Sequence, residues 1–151
     1  MAWFDLGRPR DPSWMGKPPQ MLAQDVPVWH KWLEEHEGDI DLVWYNVALT
    51  LQDPPPGYPE NIVQGWMYSV AKRIDALIKW KNGKITIAEV TRKAGLRAIG
   101  QMLTYLYLWQ KLRPLKGPHE GRIICEFADD DVKAVADAEH ILIDEVEEVG
   151  E

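Results

Sequence analysis

Residues 73–91, RIDALIKWKNGKITIAEVT, decide the fold. Two runs rich in β-branched and aromatic residues flank Asn82-Gly83, a strong short-range signal for a β-hairpin. Strands are therefore expected over 73–80 and 84–91. Their register matters more than their existence. A two-residue loop at Asn82-Gly83 pairs Lys81 with Lys84 and sets Asp75 against Val90, with its side chain on the face away from Glu89. A three-residue loop with Gly83 left-handed shifts the pairing by one. Asp75 then lies opposite Glu89, and Leu77 opposite Ile87. A site that uses both carboxylates requires the second register.

Working outward, residues 1–24 read as an arm. Trp3, Phe4, Trp14 and Met15 stand among Pro9, Pro12, Pro18 and Pro19 with no helical or strand period. The arm can anchor to a partner or wrap its own domain. Asp25 with Pro27 starts a helix through Trp29, Trp32 and Leu33 to Gly38. A strand over 40–51 ends at the DPPPG run of 53–57, and Pro59-Glu60 opens a second helix. After the hairpin, a long helix over 96–112 carries Leu96, Ile99, Leu103 and Leu106 on one face. A buried-type strand over 122–127, a helix capped by Asp129 or Asp130, and a strand over 141–146 complete an α/β pattern. The acidic end from Glu145 reads as a frayed tail. The expected organisation is an arm (1–24), an α/β domain (25–146) and an acidic tail (147–151).

The composition narrows the function classes. At 151 residues and 46% hydrophobic, the chain fits one domain with a real core. The single cysteine, Cys125, excludes an internal disulfide and a cysteine-rich zinc site, and is expected to be buried and inert. His30, His36, His119 and His140 show no ligand spacing. The N-terminus lacks a secretory pattern, and no apolar run reaches the length of a membrane span, so no membrane partner is expected. Net charge is −7, yet residues 69–117 carry eleven Lys/Arg against only Asp75 and Glu89. A basic centre between acidic flanks suits a phosphate backbone, or an acidic face of this chain or of a second copy.

Asp75 in one strand, Glu89-Val90-Thr91 ending its partner, and Gln101 with Tyr105 on the following helix form an ordered set. In this set the chain resembles the PD-(D/E)XK nuclease superfamily, in particular its RecB-like branch. The correspondence is direct over 73–127 and extends with the flanking elements over 26–146. The resemblance implies a restriction-endonuclease-like core, with a central mixed sheet flanked by helices. It also implies that Asp75 and Glu89 hold Mg²⁺, which prefers hard oxygen ligands. In the family a lysine two residues after the Glu shares its strand face and assists the attacking water, while Gln101 and Tyr105 share a helix face and brace the site. Thr91 stands where that lysine belongs. Lys93 has the right parity but lies past the expected strand end, and Arg92 points to the other face. The family's third acid has two candidates, Glu34 and Glu60.

The RIDA, IAEV and AIGQ segments also resemble short phage-encoded proteins of this fold. That likeness implies a nuclease-like protein with a degenerate site in the host cytoplasm and the virion, as a structural or DNA-adjacent component of the neck or head–tail region. Its partners would be other virion proteins through the arm, and DNA, within an oligomer. The alternative is an active Mg²⁺-dependent DNA nuclease of phage replication, recombination or packaging.

Overall fold

Lys81, Asn82 and Gly83 form a three-residue hairpin loop. Gly83 donates its N–H to the Trp80 carbonyl (2.9 Å), and Trp80 donates to the Lys84 carbonyl (2.9 Å). Gly83 sits at φ +90°, where a residue without Cβ carries no steric penalty. The ladder beyond the loop pairs Leu77 with Ile87 and Ala76 with Ala88. Continuing it sets Asp75 opposite Glu89. The register is the one a two-carboxylate site needs.

The structure, a computed structural model, describes residues 2–149. In chain order its elements are β1 (Trp3–Asp5), α1 (Val26–His36), a 3-10 turn (Glu37–Asp39), β2 (Ile40–Thr50), α2 (Glu60–Val70), β3 (Lys72–Trp80), β4 (Ile85–Val90), β5 (Lys93–Ala94), α3 (Leu96–Leu112), β6 (His119–Cys125), β7 (Phe127–Ala128), α4 (Asp130–Ala138) and β8 (Ile141–Glu145). Six strands form one mixed sheet in the order β1-β2-β3-β4-β6-β8, and β5 pairs with β7 in a small second sheet. Pairing is antiparallel from β1 to β4 and parallel across β4, β6 and β8. The two parallel steps need crossovers, which α3 and α4 supply. The expected α/β architecture, a central mixed sheet flanked by helices, is present.

Apolar side chains cover both faces of this sheet. On one face α3 and α4 bury Met102, Tyr105, Trp109 and Val132 against Ile74, Leu77, Ile87 and Ile123. On the other, α1 buries Val28, Trp29, Trp32 and Leu33 against Val43, Ile78, Ala88 and Ile124. Alternation slips once. Trp44 and Val47 of β2 share a core face, as do Ile74 and Leu77 of β3, although each pair is three residues apart. The slip falls at Asn46, which adopts φ +53°, and at Asp75, which the register places opposite it. Asn is among the few side chains that tolerate that conformation. A local kink thus sits beside the candidate acid.

Several expectations are corrected. The arm has a strand. Trp3, Phe4 and Asp5 pair with Thr50, Leu49 and Ala48 on the outer edge of β2, and Arg10 exchanges both backbone hydrogen bonds with Val43. Unpaired edge groups of β2 find partners this way. Trp14 packs on Tyr45, so the arm wraps its own domain. On α3 the buried stripe is Ala98, Ile99, Met102, Tyr105, Leu108 and Trp109, whereas Leu96 is 83% exposed and Leu103 is also exposed. Of the expected face, Ile99 is buried and Leu106 packs against the core, so the buried stripe is rotated from the expected one and overlaps it. The strand expected over 122–127 ends at Cys125 and resumes as β7. The acidic end is docked rather than frayed. Val146 is buried and donates to the Cys125 carbonyl, Val149 N–H donates to Glu126, and Glu145 pairs with Lys133 at 2.7 Å. The last two residues of the expected tail lie outside the described residues.

Candidate active site

Backbone pairing between β3 and β4 ends at Ala76 and Ala88. One residue further, the Asp75 carboxylate replaces a main-chain partner by accepting the Val90 N–H at 2.8 Å. Beyond this point β3 and β4 pair only with their outer neighbours, and their ends flank a cleft of about 460 Å³, whose walls include Asp25, Arg73, Asp75, Glu89, Thr91, Lys93, Arg97, Gln101 and Tyr105. The fold therefore gathers all six residues singled out from the sequence: Asp75, Glu89, Thr91, Lys93, Gln101 and Tyr105.

Glu89 is 7% exposed and adjoins both the Asp75 carboxyl and the Tyr105 hydroxyl. Neither neighbour meets its Oε1 in hydrogen-bonding geometry, so that oxygen is enclosed and unpartnered. Burial, and then the adjacent Asp75 charge, push the Glu89 carboxyl far above its usual range. Burial also raises Asp75, against the opposing effects of the Val90 N–H and of Glu89. Two carboxylates this close in a poorly solvated place do not both ionise readily, and near neutrality they hold a proton between them. The Tyr105 phenol is raised by burial and by the charges of Glu89 and Asp75, so it stays a neutral hydroxyl.

A third acid faces the pair, and it is neither sequence candidate. Glu34 and Glu60 are exposed on α1 and α2 and do not line the cleft. Asp25 does, at 6% exposure. It occupies the cap position of α1 but makes no side-chain cap hydrogen bond, as the sequence had suggested it would. Its Oδ1 instead accepts the Arg92 N–H at 3.1 Å, 67 residues away in sequence. Burial raises its carboxyl, and its charge raises those of Asp75 and Glu89 in turn. A capping acid before Pro27 has an ordinary local explanation, so nothing in the sequence separated Asp25 from a structural cap.

The basic groups stand apart from the acids. β4 ends at Val90, so Thr91 begins the turn away from the sheet, and its hydroxyl donates to the Lys93 carbonyl (3.3 Å). Arg92 turns from the cleft to pair with Glu126 at 2.6 Å. Lys93 and Arg97 are exposed on the cleft rim, and Gln101 lies one turn before Tyr105. Arg73 closes the other side, its Nη2 donating to the Tyr68 carbonyl at 2.6 Å.

Asp75 and Glu89 suit a hard divalent cation. They offer carboxylate oxygens, one of them orphaned, in a site whose raised acids lack a compensating positive charge. Among the described residues no group of three or more His, Cys, Asp or Glu closes into a metal site. Mg²⁺ does not need one, because it commonly takes one or two carboxylates and keeps water or substrate phosphate for the rest.

No protein-family pattern matches the chain, and no curated protein matches it in sequence. Among solved structures, a repair endonuclease from Pyrococcus abyssi overlaps it with 16% identity and a TM-score of 0.44, covering 67% of this chain and 52% of its own. A chain from an EndoMS complex with double-stranded DNA overlaps it with 13% identity and a TM-score of 0.45, covering 73% of this chain and 61% of its own. The chain thus spans between half and two thirds of these neighbours. Overlaps at that level carry no statement about its activity.

Proposed function

We propose that the cleft binds a nucleic-acid strand, holding a phosphodiester against a divalent cation on Asp75 and Glu89, and that Thr91 leaves the protein a weak nuclease at most. The observation that carries this reading is the opposition of Asp75 and Glu89 on adjacent strands, with Glu89 Oε1 buried and unpartnered. A bound Mg²⁺ supplies charge stabilisation at the phosphoryl oxygens and lowers the pKa of its water. The chain's own residues do the rest. Arg73, Lys93 and Arg97 border the cleft with positive charge suited to the flanking backbone. The neutral Tyr105 hydroxyl braces Glu89. Thr91 sits where a lysine would orient or deprotonate water, and a hydroxyl carries no charge for either task.

The test is cleavage of single- and double-stranded DNA with Mg²⁺ or Mn²⁺. Wild-type protein is expected to cut feebly or not at all. Thr91→Lys restores an ammonium at the end of β4, and a gain of up to ~10²-fold is expected, the lower range for a positioned proton-transfer group. Glu89→Ala in the same background is expected to abolish it. Robust wild-type cleavage that is lost in Lys93→Ala would overturn the reading of Thr91, because a migrated lysine would then serve.

A place in a phage particle, and residence in host cytoplasm and virion, rest on the sequence likeness alone. The arm is a weaker candidate for partner contact than its composition suggested, since Trp3 and Trp14 pack on Tyr68 and Tyr45 of the same chain. A surface that favours a protein partner lies instead on α2, where Ile62 and Trp66 are exposed beside Tyr58 and Met67 is the one fully buried residue. Mass spectrometry of purified particles decides whether the protein is a component.

A further inference from the structure

Arg73, on the wall of the cleft, also touches a residue that lines a second cavity. Its guanidinium lies over the Tyr68 ring (4.7 Å), and Tyr68 in turn lines that cavity, of about 410 Å³, with Asp5, Arg8, Arg10, Tyr45 and Asn46. Consecutive residues line the two cavities, Pro19 the second and Gln20 the cleft. Asn46, the left-handed residue opposite Asp75, borders this second cavity, so the kink that sets the acid also shapes the neighbouring wall.

The chemistry of this cavity suits an anion. Arg8 and Arg10 are exposed and have no carboxylate partner among the described residues; Arg10 rests on the Trp14 ring at 3.9 Å. The one carboxylate present is already engaged. Asp5 Oδ1 accepts the Gly7 N–H at 2.9 Å, and Oδ2 accepts the Tyr68 hydroxyl. At the junction, Arg73 Nε is enclosed with no hydrogen-bond partner. Two guanidinium groups without a carboxylate partner among the described residues therefore line one cavity beside the acid-pair cleft.

We propose that this cavity is a second phosphate subsite beside the cleft, in which Arg8 and Arg10 hold a backbone phosphate of a nucleic-acid strand that has another phosphodiester at Asp75 and Glu89. The inference rests on the nucleic-acid reading above and adds the direction of the strand, from the acid pair past Arg73 and Tyr68 toward the N-terminal segment. It also gives the arm a role: β1 carries Asp5, Asp5 holds Tyr68, and Tyr68 supports Arg73.

The experiment is fluorescence anisotropy with the full chain, Ca²⁺ standing in for Mg²⁺, and labelled single-stranded DNA as either a dinucleotide or a long oligonucleotide. The Arg8→Ala/Arg10→Ala double variant is expected to bind the long oligonucleotide more weakly. Its plot of log affinity against log salt should be shallower by about 0.7, the loss of one phosphate contact. Dinucleotide binding is expected to stay at the wild-type level. Equal affinity and equal salt slope for the long oligonucleotide in wild type and double variant would overturn the subsite. Glu89→Gln separates the two readings. If it leaves binding and its Ca²⁺ dependence unchanged while the arginine variant still loses slope, the acid-pair reading fails and the anion subsite stands. If it removes the Ca²⁺-dependent part while the arginine variant behaves as wild type, the subsite fails alone. Arg8→Gln/Arg10→Gln, which keeps more of the side-chain length, gives the same answer where loss of the Arg10–Trp14 contact lowers the melting of the alanine variant.

Discussion

Replacing Glu89 with Gln is expected to stabilise the metal-free protein at neutral pH and to destabilise it slightly in acid. The carboxyl is buried and raised above neutrality from its ordinary 4.5, first by desolvation and then by Asp75. Folding therefore takes up a proton that the unfolded chain would have released. A group raised in this way costs nothing below its unfolded value and progressively more as pH rises toward its folded value. At pH 7 the interval from 4.5 corresponds to about 3 kcal/mol at 1.36 kcal/mol per unit. The amide has one more donor than the protonated acid, and leaving it unsatisfied offsets roughly 1 kcal/mol. The net gain of about 2 kcal/mol corresponds to a rise in Tm of about 4–8 °C for a chain of this size. Thermal melts in chelator, from about pH 5 to about pH 8, should show wild type losing stability faster than the variant. With Mg²⁺ added, wild type should gain and the variant should not. A Glu89→Gln variant that is destabilised equally at all pH values would refute the buried, proton-sharing pair.

Other perturbations probe the surroundings. Asp25→Asn removes a charge that raises both members of the pair, so the melt in chelator should rise at neutral pH and stay flat in acid, by less than for Glu89→Gln. Deleting residues 2–19 strips β1, the Arg10–Val43 bridge and the Trp14 packing. Tm should fall as far as for a core truncation, and an unchanged cooperative melt would show a dispensable arm. Gly117→Ala meets both φ +119° and the Gly83 carbonyl at 2.8 Å. A loss of about 1–3 kcal/mol is expected in a denaturant titration.

The readable parts of the sequence were those where local chemistry and tertiary demand agree. Gly83 after Asn82 permits the left-handed residue that a three-residue loop needs, and the two possible registers followed from that loop alone. Asp75, Glu89, Gln101 and Tyr105, an ordered set in the sequence, line one cleft. Where competing explanations were equally good, reading stopped. Asp25 has every feature of a helix cap, yet its partner is a backbone N–H beyond β4. Leu96 and Leu103 have the same hydrophobicity as buried leucines, but the face of α3 that meets the sheet is rotated away from them, while Ile99 and Leu106 remain at its edge. The three residues of β1 are too few to show a period, and what recruits them is the unpaired edge of β2. Asn46 breaks the alternation of β2 through a backbone conformation that composition alone does not specify.

Calorimetric titration of Mn²⁺ or Mg²⁺ into the wild-type protein tests the central claim most directly. Asp75 and Glu89 near neutrality share a proton, so cation binding must expel it, and titrations in buffers of different ionisation enthalpy should report release of up to about one proton per site. The account predicts saturable binding with that release in wild type, and loss of both in Glu89→Gln. Absence of binding in wild type, or binding that persists unchanged in Asp75→Asn and Glu89→Gln, would contradict it.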